Sequence, residues 1–140
     1  MSDTIDPETI RAYRETGYRV HGTPGFVLHV DTASPELHAL HQLHQVRASA
    51  YLTACNPESR QLDPDDNATR QRALSDVLAA RGVVALDGLG RHPTNGWPGE
   101  HSLLALGLDF DSACELGCQF GQNAILWAGA DAVPRLILLR

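Results

Sequence analysis

Four short stretches carry the side chains that could do chemistry: Asn56 in TACNP, Asn67 and Arg70 in N-x-x-R, Glu100 and Ser102 in E-x-S, and Gln122 in FGQNA. A guanidinium such as Arg70 can hold a phosphate or carboxylate, and the first turn of a helix adds its own attraction for an anion. A carboxylate such as Glu100 can bind a hydroxyl or act as a general base. Asn56, Asn67 and Gln122 can orient a ligand through their amides. Glu100 is therefore the candidate catalytic residue, and Asn56, Asn67, Arg70, Ser102 and Gln122 are the candidate ligand-binding residues. No nucleophile stands beside a base able to activate it, Cys55 included.

The elements must bring these residues together. The chain reads as α-β-β-α-β-α-β-β-α-β-β. Asp6-Pro7 and Ser34-Pro35 open the first two helices, each with a capping side chain followed by proline. A long helix is expected over about 66–81, closed by Gly82, with Leu74, Val77 and Leu78 as its buried stripe. That stripe, followed back to the first turn, carries Arg70 and Asn67 within about 80° of its centre. A cation there opposes the helix dipole, so an acidic partner is expected, and Glu100 is the candidate within the chain. Asn56 follows the strand 49–55, whereas Glu100 and Gln122 precede the strands 100–107 and 123–128. If the first strand runs antiparallel to the other two, all three polar ends share one rim of the sheet. Gln122 then faces the rim, while Asn123 points to the opposite face and ties down backbone. The alternative is a fold-specifying network, a buried Arg70–Glu100 pair with amides capping loose backbone groups.

This order predicts an α+β fold in mixed layers, a twisted mixed sheet of about six or seven strands covered by about four helices. The 140 residues fit a single domain, with 1–46 as a lead-in of helix and strands and 47–140 as the core. LLALGL and AILW are apolar at consecutive positions, as central strands covered on both faces are. GLGRHPTNGWPG, residues 88–99, is rich in Gly and Pro and reads as a loop. Its context fits neither a dinucleotide fingerprint nor a phosphate loop. It is either a lid carrying an exposed Trp97 or a crossover with Trp97 tucked into the core, and the second is favoured.

Other signals read as structural. His38, His41 and His44 lie three apart on a helix, too wide a fan for one tetrahedral ion, and are expected as solvated surface side chains. Cys114 and Cys118 share a helix face as small buried thiols, and no metal or cofactor is expected. Net charge is −6 and all eleven basic residues are scattered arginines, which disfavours nucleic acid as a partner. No apolar run approaches the roughly 18 residues that span a bilayer. The N-terminus is polar and acidic, the reverse of a secretory signal, so a cytoplasmic protein with no membrane partner is expected, bacterial in its compactness.

The order and spacing of TACNP, N-x-x-R, E-x-S and FGQNA resemble an uncharacterised bacterial family, domain of unknown function 3293, over roughly residues 48–128. The resemblance picks out Asn56-Pro57, Asn67 with Arg70, Glu100 with Ser102, and Phe120 to Ala124. It departs from the family at Cys55, where a bulky aromatic is expected, and at His101, where a second acid is, leaving one carboxylate in the motif. The family implies no activity. Two functions follow as expectations. One is a small-ligand site at the sheet rim for an anionic or nucleotide-like metabolite, with hydrolysis or group transfer as the reaction if there is one. The other is an acidic protein-interaction domain of inhibitor or immunity type, docking a basic partner.

Overall fold

The computed structural model describes residues 4–140. Helix α1 spans Pro7–Glu15, where Asp6 accepts the Glu8 backbone N–H at 3.1 Å and Pro7 occupies the first turn. Helix α2 spans Pro35–His44 and is capped in the same way by Ser34, which accepts from Leu37 at 3.1 Å. Helix α3 runs Pro64–Ala80, its start two residues before the expected one, and α4 runs Phe110–Gln119 from an Asp109 cap. The strands are β1 (Gly17–Val20), β2 (Phe26–Leu28), β3 (Ser49–Leu52), β4 (Val84–Arg91), β5 (Glu100–Leu106), β6 (Ala124–Ala128) and β7 (Arg135–Leu138).

They form one seven-stranded sheet in the order β2-β1-β4-β5-β3-β6-β7, and the fold is α+β. Every pairing is antiparallel, where a mixed sheet was expected. The reason is the place of β3. The segment β5-α4-β6 is a parallel crossover unit, and β3 inserts between its two strands, pairing antiparallel with both. The lead-in is not an appendage either, because β1 zips onto β4 over residues 17–20 and carries β2 at the sheet edge.

Alternation along the strands divides the core in two. On one face Leu52, Leu103, Ala105 and Ile125 pack with Leu74 and Leu78 of α3 and Leu116 of α4. On the other, Tyr51, Leu104, Leu106 and Leu126 pack with Leu37 of α2, Val20 and Leu28. The α3 stripe is therefore as expected: Leu74 and Leu78 are fully buried and Val77 partly so.

Two sequence expectations change. Strand β4 continues through Gly88, Leu89, Gly90 and Arg91, so only residues 92–99 form the loop. Gly88 is a strand glycine because a Cβ there would sit on the Arg19 carbonyl and 2.7 Å from the Tyr51 hydroxyl. The histidine helix is also not uniformly wet. His41 is 3% exposed and its Nε2 lies 2.8 Å from Ser49 Oγ, since its place on α2 faces the sheet beside Leu37. Burial holds its pKa below the ordinary value. Cys114 is half-buried and Cys118 exposed, not the buried pair expected. Among the described residues no group of His, Cys, Asp and Glu is placed to hold a metal, and no helix is long and apolar enough to cross a membrane.

Candidate functional site

The C-terminal end of β3 meets the N-terminal ends of β5 and β6 on one rim, because β3 runs antiparallel to both. At that rim a cleft of about 330 Å³ opens on the face of Tyr51 and Leu104, beneath α1. Thr9, Ala12 and Tyr13 of α1, with Thr16 just after it, form one wall, Tyr18, Tyr51 and Ser102 of the sheet form the base, and Trp97 overhangs it. Opposite Tyr18, Gly90 of β4 keeps the base open, with no side chain to fill it.

Glu100 is the central polar group. Its Oε2 accepts from Asn56 Nδ2 at 2.6 Å and from Trp97 Nε1 at 3.4 Å, while Oε1 has no protein donor among the described residues. Burial raises its pKa above 4.5, against the two hydrogen bonds, which favour the anion. Asn56 is fixed in turn. Its Oδ1 accepts from Asn67 Nδ2 at 2.8 Å and from the Leu62 backbone at 2.9 Å, and its own N–H reaches Asn67 Oδ1 at 2.9 Å. The loop turns there because Asn56 itself is left-handed, with φ of 47°. Ser102 is buried and donates to the Glu100 carbonyl at 3.2 Å.

Of the six residues expected at the site, Asn56, Glu100, Ser102 and Gln122 line the cleft, and Asn67 and Arg70 do not. Asn67 acts one step back, through Asn56. Arg70 does not meet Glu100 in an ion pair. Glu100 lies on the same strand face as Ser102 and Leu104, whereas α3 covers the opposite face. The guanidinium instead donates from Nε to the Ala54 carbonyl at 2.7 Å and from Nη2 to the Phe120 carbonyl. Phe120 caps the C-terminus of α4, where a cation is favoured, so the partial negative charge that Arg70 needs comes from the carbonyl end of another helix.

Both adjacent amides line the cleft, and the tie to backbone expected of Asn123 is made by Gln122. Gln122 ties down backbone, donating to the carbonyls of Cys55 at 3.0 Å and Phe120 at 3.3 Å. Asn123 does not turn away. It lines the cleft and donates to the Tyr13 hydroxyl at 3.1 Å and Ser59 Oγ at 3.3 Å, two groups that are themselves hydrogen-bonded. Gly121 is the cause: its φ of 71° lets the chain reverse after α4 before β6 begins, so the strand's alternation does not extend back to residue 122.

Trp97 is 37% exposed, not tucked into the core. Its loop is ordered by His92, whose Nδ1 accepts from the backbones of Thr94 and Asn95 at 3.1 and 3.0 Å. That assignment leaves the proton on Nε2, which lies 2.9 Å from Glu15 at the end of α1. Loop and helix are thus joined across the mouth of the cleft. Cys55 is buried, its thiol facing the His101 carbonyl at 3.7 Å, and burial raises its pKa, the opposite of an activated nucleophile.

Tyr13, Tyr18, Tyr51 and Asn123 escaped the sequence reading as site residues, because tyrosines on an amphipathic helix and apolar strands read as core. Gln71 escaped too, although its Oε1 receives the Ala54 N–H at 3.0 Å and so helps set the turn before Asn56. A sheet open on one rim, with a carboxylate held at the base of an aromatic cleft, defines a small α+β domain with a preformed pocket. The family model described as Protein of unknown function (DUF3293) matches residues 52–125, more than half of the chain, and the chain belongs to that family. No curated protein and no solved structure matches it. The matched span holds all six residues first expected at the site but leaves out Tyr13, Tyr18 and Tyr51.

Proposed function

We propose that the protein binds a small organic molecule in the cleft between α1 and the sheet, with Glu100 as the polar anchor. The observation that carries this reading is the half-buried Glu100 carboxylate, pinned through one oxygen by Asn56 and Trp97 with the other left to the cleft. A volume of about 330 Å³ with aromatic walls and a few convergent polar groups is what ligand pockets of this kind have in common. A structural network alone has no need of the cavity. Binding is the reading, and no reaction is assigned. Hydrolysis or transfer on a phosphorylated metabolite was an expectation built on Arg70, and that guanidinium is engaged by two carbonyls outside the cleft.

The test is a fragment screen by thermal shift and tryptophan fluorescence on wild type and Ala12→Trp. Ala12 lies on the α1 wall, so an indole there fills the cleft without touching the sheet core. Fragments that raise the wild-type melting temperature and alter its emission, and do neither in a folded Ala12→Trp, support the reading. A screen in which nothing shifts wild type, or in which Ala12→Trp binds equally well, sinks it.

A further inference from the structure

We infer that the ligand of this cleft is an organic cation, a protonated amine on a flat or apolar body; the inference rests on the cleft being a binding site. Two independent observations carry it, and the first is charge. Among the described residues, the carboxylates lining the cleft are Asp6, Glu8 and Glu100, and no arginine lines it; the sequence contains no lysine. His92 carries the one imidazole among the described lining residues, and its Nδ1 already accepts two backbone N–H groups. The N-terminal turn of α1 adds little attraction for an anion, since Asp6 caps it and Glu8 sits in the first turn. An anion entering would meet like charge with no counter-ion among the described lining residues.

The second observation is the direction of the hydroxyl hydrogens. Tyr18 donates to the Tyr13 carbonyl at 2.6 Å, Tyr51 to the Arg19 carbonyl at 2.7 Å, Thr16 to the Ala12 carbonyl at 2.7 Å and Ser102 to the Glu100 carbonyl at 3.2 Å. Each of these oxygens has spent its one hydrogen on the protein and keeps lone pairs. The Trp97 indole hydrogen and one of the two Asn56 amide hydrogens point to Glu100 as well. The cleft is therefore rich in acceptors and poor in donors, and its complement is a group with several N–H donors and a positive charge. An ammonium has three such donors. Four aromatic residues of the lining, Tyr13, Tyr18, Tyr51 and Trp97, add cation–π attraction and a surface for an apolar body.

Three isosteric probes separate this inference from the reading beneath it: phenethylamine, 2-phenylethanol and phenylacetate, titrated at pH 7 into wild type and Glu100→Gln with tryptophan emission and calorimetry as readouts. The expected result is phenethylamine binding at least tenfold tighter than 2-phenylethanol, no binding of phenylacetate, and a tenfold or greater loss for phenethylamine alone in Glu100→Gln. Glutamine keeps an oxygen for Asn56 and Trp97, so the variant should fold; if it does not, the wild-type preference among the three probes decides. Equal binding of amine and alcohol, or an amine affinity unchanged by Glu100→Gln, overturns the cation while leaving the cleft as a site. Preference for phenylacetate overturns it too. If none of the three binds but neutral or anionic fragments do in the wider screen, the cation fails and the site stands. If nothing binds at all, both fail.

Discussion

At the scale of single residues, Arg70 and Glu100 are separable, and each has its own signature. Arg70 joins the end of β3 to the end of α4 through two carbonyls, so Arg70→Ala strands the Ala54 carbonyl and leaves the Phe120 carbonyl with Gln122 Nε2 alone, beside a half-buried gap. The expected loss is about 3 kcal/mol in urea unfolding at pH 7, from two charge-assisted hydrogen bonds and one stranded acceptor. Arg70→Lys recovers less than half of it, because one ammonium cannot span two carbonyls as the planar fork does. Fragment affinity in the folded variants should stay within about twofold of wild type; a tenfold change would place Arg70 at the site after all. Glu100 behaves in the opposite sense. Its folded-state pKa is raised above the ordinary 4.5, so the folded chain holds that proton more tightly than the unfolded chain does. That stability is fully present below the unfolded value and is lost as pH rises through the folded one. Glu100→Gln removes this loss, and its melting temperature should exceed wild type at pH 7 by roughly 2–6 °C. The gap should narrow as pH falls into the ordinary carboxylate range, and a gap that is constant with pH would show that desolvation of Glu100 is not its cause. The sequence named both residues correctly as inward-facing and could not pair them, since pairing depends on which sheet face each occupies. Asn123 falls on the unexpected side for a related reason: strand alternation carried back from β6 to residues 122 and 123 meets a chain still turning out of the left-handed Gly121.

At the scale of elements, helices were legible because their ends are written locally. Asp6-Pro7 and Ser34-Pro35 announce a cap and a first turn without reference to any other part of the chain. Strand β4 reads short because Gly88 and Gly90 look like turn residues in a sequence, whereas the cause at Gly88 is a neighbour: β1 and the ring of Tyr51 approach too closely for a side chain. The two glycines should respond differently. A Cβ at Gly88 would meet the Arg19 carbonyl and lie 3.1 Å from Tyr51 Cε2, with backbone on one side and a buried ring on the other. Gly88→Ala should therefore cost about 2–3 kcal/mol or more, as overpacking does. A Cβ at Gly90 would meet the Tyr18 ring at 3.5 Å, an ordinary contact, and alanine suits an extended strand better than glycine. Gly90→Ala should change stability by less than about 1 kcal/mol while shrinking the cleft and weakening fragment binding. Denaturant melts of the two variants check this, and a comparable loss in both would mean that loss of glycine flexibility, not the close approach to Tyr51 and Arg19, sets the cost.

At the scale of the whole molecule, the antiparallel meeting of β3 with β5 and β6 enters the sequence reading only as the condition on which the polar ends share a rim, and the strand order is not legible at all. Nothing in residues 84–128 states that a strand made from residues 49–52 will enter between β5 and β6. That insertion has a consequence for where the fold resides. The family match covers residues 52–125 and so contains α3, β4, β5, α4 and nearly none of β3. Without β3, the facing edges of β5 and β6 both lose their partner, and Ala50, at the centre of the core under α3 and α4, is missing. A polypeptide of residues 52–125 should therefore fail to fold, giving narrow amide dispersion in its NMR spectrum and no cooperative melt. A chain shortened to residues 17–140 presents the contrary case. It keeps all seven strands and loses α1, none of whose residues is fully buried. That chain should stay folded with a dispersed spectrum, melt at a lower temperature for want of the Tyr13 contacts with Ser59 and Asn123, and bind none of the fragments that wild type binds. A folded 52–125 would mean that β5 and β6 pair directly when β3 is absent. Binding retained by 17–140 would put the ligand somewhere other than under α1, and with it the cleft, Glu100 and the tyrosine wall would lose their claim to be one site.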